Sequence, residues 1–122
     1  MASRPILSPF SVVDNESMGA DITSDVTIVQ NISMISYDIS WTGSSPVGVC
    51  TVEVSDTYTQ NGDGTVRNAG NWTALPISGA VSGNTGTGYM DIGVVSSYAI
   101  RLKYTRISGT GTMNATITGK VN

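Results

Sequence analysis

The sequence predicts an all-β fold: one antiparallel β-sandwich of jelly-roll or Greek-key type, with about seven or eight strands. Three observations carry this. Val (13), Ile (11) and Thr (15) make 39 of 122 residues β-branched, and branching at Cβ stiffens χ1 and suits a pleated surface better than a helix. Apolar and polar residues alternate with period two in at least two segments, and no segment shows a helical period. Turn residues, drawn from 16 Ser and 14 Gly, recur at intervals of about 8–12 residues. Helical bundles and coiled coils are excluded.

Residues 1–11 read as an extended N-terminal arm and residues 12–122 as the sandwich. Pro5 and Pro9 disfavour helix and cannot donate to a ladder. The arm's apolar residues Ile6, Leu7 and Phe10 are candidate assembly contacts. They are expected to dock, either on their own domain or on a neighbouring subunit. After a polar stretch from Asp14 to Asp25, Val26 to Val29 reads as a strand. Met34 to Trp41 is the clearest strand, with Ile35, Tyr37, Ile39 and Trp41 on one face and Ser36, Asp38 and Ser40 on the other. Thr42 to Pro46 breaks it. Val47 to Ser55 follows, with Cys50, Val52 and Val54 on one face. Cys50 is expected in the core as a small hydrophobe.

Asp56 to Asn71 is polar, and Asn61-Gly62-Asp63-Gly64 signals a tight turn within a protruding hairpin. Trp72 to Ile77 reads as a short strand that Pro76 places at an edge or an end. Ser78 to Gly88 reads as loop and Tyr89 to Ile92 as a short strand. Tyr98 to Arg106 and Met113 to Thr118 alternate clearly. They read as a hairpin turning at Ser108-Gly109-Thr110-Gly111.

Charge and chemistry narrow the function. Only 12% of residues are charged and the net charge is −3, which excludes a strongly basic nucleic-acid binder. The absence of histidine removes the commonest general base and metal ligand. A single cysteine forbids an intrachain disulfide. No pair of carboxylates is brought together by spacing. The Asn61–Gly64 stretch resembles part of a calcium loop, but its first position lacks a carboxylate and its twelfth is Gly70, so a turn is expected. No catalytic residue, metal site or cofactor is expected. The start of the chain has no apolar run of signal-peptide type and no segment is long enough to span a bilayer. The expectation is synthesis in a cytoplasm and no membrane partner.

Arg101, Lys103 and Arg106 form the only basic cluster, expected on a solvated or edge-protecting strand face, or else in an ion pair between subunits or an anion contact. Tyr58, Trp72 and Tyr89 lie in or beside polar stretches. Sugar-binding modules stack sugar rings on exposed aromatics, so Tyr58, Arg67 and Trp72 are candidate glycan contacts, with burial of Trp72 in the core as the competing expectation.

Val52-Glu53-Val54-Ser55-Asp56, then Asn71-Trp72-Thr73-Ala74-Leu75, resembles a strand–loop–strand pattern of jelly-roll sandwiches. Ser97 to Tyr104 is similar to the strand that follows in such domains. The pattern is shared by discoidin-like carbohydrate-binding domains and by small bacteriophage structural proteins. In the latter a Ser-Gly-Thr-Gly turn, as at Ser108 to Gly111, precedes a closing strand like Ala115-Thr116-Ile117-Thr118-Gly119-Lys120. The resemblance spans about Ser36 to Lys120. It implies a non-enzymatic virion structural or accessory protein that assembles as a homo-oligomer and docks with other virion proteins on a capsid or tail lattice. The alternative it implies is a host-adhesion module that binds cell-surface glycan.

Overall fold

The computed structural model describes residues 6–30, 32–94 and 96–121. Among them are nine strands and no helix: β1 (Ile6–Ser17), β2 (Ile22–Thr23), β3 (Thr27–Ile28), β4 (Met34–Ser55), β5 (Thr59–Gln60), β6 (Val66–Asn68), β7 (Thr73–Val81), β8 (Thr85–Val94) and β9 (Ala99–Lys120). The architecture is an antiparallel β-sandwich, as the alternation predicts.

Its spine is the pair β4 and β9. Each is 22 residues long, and they run antiparallel from Met34 opposite Lys120 to Ser55 opposite Ala99. The outer edge of β4 carries β8 along Met34–Thr42 and then β7 along Gly48–Val54. The outer edge of β9 carries β1 along its C-terminal half and β2 and β3 along its N-terminal half. One sheet is thus folded across its middle. The halves β8-β4-β9-β1 and β7-β4-β9-β2/β3 share one core.

The expected breaks at Thr42–Pro46 and Ser108–Gly111 are not chain reversals. Both segments lie inside continuous strands and pair with each other: Gly43 with Gly111 and Ser44 with Thr110. Instead of a Tyr98–Thr118 hairpin there is one long strand bent at its middle. The irregularity falls between Ser44 and Val47, where Ser45 takes φ 50° and Gly109 φ 79°. Two facing bulges raise the local twist and turn the corner that two hairpins would otherwise make. The reversal expected over Ser78–Gly88 contracts to Ser82–Asn84, since β7 runs to Val81 and β8 starts at Thr85. The strand expected at Val26–Val29 shrinks to Thr27–Ile28, while the polar stretch before it holds the end of β1 and all of β2. The expected boundary between arm and sandwich falls inside β1.

Alternation fills the core as read. Ile35, Tyr37, Ile39 and Trp41 are buried, as are Cys50, Val52, Ile100, Leu102 and Tyr104; Val54 is half-buried against them. Burial pushes the Cys50 thiol up to about 12 and raises the Tyr37 phenol above its ordinary range. The sign of the linkage follows. Between the thiol's ordinary value of 9.0 and about 12, the unfolded chain holds fewer protons than the folded one, so stability falls as pH rises. Below that window the thiol contributes no pH dependence. The unfolding free energy from urea titrations is expected to decline above pH 9 by up to about 1.4 kcal/mol per pH unit. Cys50→Ala should remove the first part of that decline, and an unchanged slope in the variant would refute the assignment.

Candidate functional site

Three groups of sequence-predicted residues now have places. The first is the arm. Its apolar residues dock on their own domain, because β1 pairs with the closing part of β9: Ile6 with Lys120, Leu7 with Gly119 and Phe10 with Ile117. Leu7 is half-buried against the core, whereas Phe10 stays 42% exposed. The Ile6 side chain lies outside the described residues. Of the candidate assembly contacts, Phe10 therefore stays at the surface and Leu7 is largely committed to the fold.

The second group is Tyr58, Arg67 and Trp72. The polar stretch does form a small hairpin, β5 with β6, closed by Asn61–Thr65. Asp63 accepts from the Thr65 backbone N–H at 3.0 Å and from its hydroxyl at 2.6 Å, which holds the Asp63 carboxyl below its ordinary value. Tyr58 is not an exposed platform. It is 5% exposed, and its ring meets Trp72 at 5.6 Å and 56°. Trp72 is half-buried and donates its indole N–H to the Ala69 carbonyl at 2.8 Å. The Arg101 guanidinium covers its ring at 4.1 Å. Arg67 is exposed on β6. Trp72 is thus neither core nor free surface: it props the hairpin against the sheet.

The third group is the basic cluster, which the fold disperses. Arg101 lies directly opposite Glu53, and its Nε meets Glu53 Oε1 at 2.8 Å. The pair is within one chain, and it gives Glu53 the specific partner that its sequence surroundings do not reveal. With side chains only 23% and 16% exposed, and the Trp72 ring beneath, the guanidinium is held by charge and by cation–π attraction together. Arg106 donates through Nε to the Gly109 carbonyl at the sheet corner. Among the described residues no three His, Cys, Asp or Glu side chains come together as a metal site, and no helix is long and apolar enough to cross a membrane.

The surface that remains is the outer face of β8-β4-β9. Here the outward residues stand in rows: Thr85-Thr42-Thr112, Thr87-Ser40-Asn114, Tyr89-Asp38-Thr116 and Asp91-Ser36-Thr118. Hydroxyls dominate, and Ser36 and Thr118 bond each other at 2.8 Å. Tyr89 stands 68% exposed at the β8 end of its row. Beside it a groove of about 460 Å³ runs toward Leu7, Pro9, Met34 and Lys120. Sequence reasoning placed Tyr89 beside a loop; the three-strand register that puts it on the outer sheet face has no local signal.

Among solved structures the chain is similar to the SPBc2 prophage-derived protein YomS, with a TM-score of 0.49 and 12% sequence identity over 97% of this chain and 96% of that one. No family model and no curated protein matches the chain.

Proposed function

We propose that the chain is a non-enzymatic structural or accessory protein of a bacteriophage particle, acting by self-association and by docking on a capsid or tail lattice. The observation that carries this is the hydroxyl-covered outer face of β8-β4-β9, whose four rows hold ten uncharged residues, two carboxylates and no cation. A freely dispersed protein gains from interspersed surface charge that keeps copies apart. A face that is rich in hydroxyls, sparse in charge and marked by exposed Tyr89 suits cover by other subunits. The resemblance of Ser36–Lys120 to small phage structural proteins points the same way. The glycan-binding alternative gains nothing at Tyr58, Arg67 and Trp72, where one ring is buried and the other lies under Arg101.

The test is the composition of particles made by the phage or prophage that encodes the chain. Mass spectrometry of purified particles should find the chain in fixed stoichiometry to the major capsid or tail protein. Particles that are complete and infectious without it would overturn the reading.

A further inference from the structure

The sheet edges are not equally protected. On one side β7 carries Pro76 and a register shift opposite Thr51/Glu53. On the other, β1 carries Pro9 and three irregularities, and β2 and β3 are two residues each. Proline, bulges and short length are the usual ways of blocking an edge. β8 has none of these from Thr85 to Asp91, where its register with β4 is unbroken and its sequence lacks Pro, Lys and Arg.

The ladder also fixes which way the β8 amides face. Gly43 donates its N–H to the Asn84 carbonyl at 2.7 Å, so Gly43 and Asn84 form a hydrogen-bonded pair. Such pairs alternate along an antiparallel ladder. Gly86, Gly88 and Met90 therefore bond β4, while Thr85, Thr87, Tyr89 and Asp91 turn their N–H and C=O groups away from it. An independent bond agrees. Gly111, opposite Gly43, turns its carbonyl away from β4 to accept from Met18 N–H at 2.8 Å, as a non-bonded neighbour of Gly43 must.

We propose that this edge pairs with β8 of a second copy, antiparallel and about a two-fold axis, so that the two sheets become one. The inference rests on the self-associating role argued above and names its surface. A second copy is the occupant the edge fits, because the strand is complementary to itself. With the axis at Gly88, Thr87 lies opposite Tyr89 of the second copy, and Thr85 lies opposite Asp91. No like charges meet, each exposed ring covers a threonine, and every outward amide within the overlap finds a partner. A few backbone bonds and one pair of rings make a weak contact in dilute solution, which strengthens when subunits are held together on a lattice.

The test is sedimentation equilibrium over a concentration series, joined to hydrogen exchange. The wild-type chain should dimerise, and Thr87→Lys should weaken the dimer by at least about tenfold. Tyr89→Pro should do the same, and it spares the β4 ladder because the N–H it removes faces outward. Both variants should keep the melting temperature of the dilute wild-type monomer, and Thr87→Lys stands alone if Tyr89→Pro does not fold. In the dimer the amides of Thr85, Thr87, Tyr89 and Asp91 should gain protection, while those of Gly86, Gly88 and Met90 are protected throughout. A monomer at every concentration, a dimer equally strong in Thr87→Lys, or a dimer without new protection at the four outward amides would each overturn the assignment. If particles incorporate Thr87→Lys as well as wild type, the surface is wrong and the structural role stands. If β8 pairing is found in a chain absent from particles, the surface stands and the role is wrong.

Discussion

A chain carrying Gly43→Val is expected to lose more than about 3 kcal/mol of stability and to be recovered largely unfolded. Gly43 and Gly111 face each other at the corner where both spine strands bend. They form a non-bonded pair, the narrow kind in antiparallel ladders, with Cα atoms about 4.5 Å apart. A Cβ on Gly43 would run into the Thr110 carbonyl oxygen and the Gly111 Cα. The backbone cannot yield, because each strand is tied on its far side: Gly43 donates to Asn84, and Gly111 accepts from Met18. Relief would break one of those bonds or open the corner and separate the two halves over the core. Gly62→Val is the control. It sits in the exposed turn with nothing near its Cβ and should change stability by less than about 0.5 kcal/mol. Urea unfolding followed by tryptophan fluorescence compares them. A Gly43→Val protein within about 1 kcal/mol of wild type would show that the corner is not closely packed.

Trp41→Ala is expected to cost about 3–5 kcal/mol, a large share of the 5–15 kcal/mol typical of a domain. Trp41 is 6% exposed, one position before the corner. Its ring fills the space that a side chain at Gly86 would need, and it lies beside Gly88. Its indole N–H donates to the Gly83 carbonyl at 3.2 Å, in the turn between β7 and β8. One side chain therefore fills the core and helps hold the turn between two strands that share no ladder with each other. Trp41→Phe keeps most of the apolar volume and loses the hydrogen bond. It should retain more than half of the stability that Trp41→Ala loses. Equal losses in the two variants would show that the Gly83 bond, not burial, dominates.

The alternating segments were legible because burial on one face of a strand writes itself into every second residue. Met34–Trp41 and Tyr98–Tyr104 fold as read for that reason. The corner was not legible. Thr-Gly-Ser-Ser-Pro and Ser-Gly-Thr-Gly carry the composition of chain reversals, and composition reports only that the backbone departs from a regular strand. Whether it reverses or bends depends on what lies opposite, and here each irregular segment lies opposite the other. The ion pair of Glu53 with Arg101 has the same logic. Opposite charges on two strands are visible in sequence, but their partnership depends on a register set along the whole spine. The sequence allows Trp72 to be either core or platform; a stacking arginine two strands away gives it a third position. The arm was apolar enough to predict docking, and only the ladder with β9 shows that it docks at home.

The long spine also sets an order of events in time. β7 and β8, joined by a three-residue turn, can meet early, yet they share no ladder and gain little alone. Every strand of the main sheet borders β4 or β9. Those two meet only after the chain from Ser55 to Ala99 has closed on itself, and their far ends, Met34 and Lys120, are farther apart still. Closure entropy must be met before most native contacts exist, so folding should be slow for a chain this short. The nascent polypeptide cannot form its spine until β9 has been synthesised, so β4 waits without its longest ladder until that strand emerges.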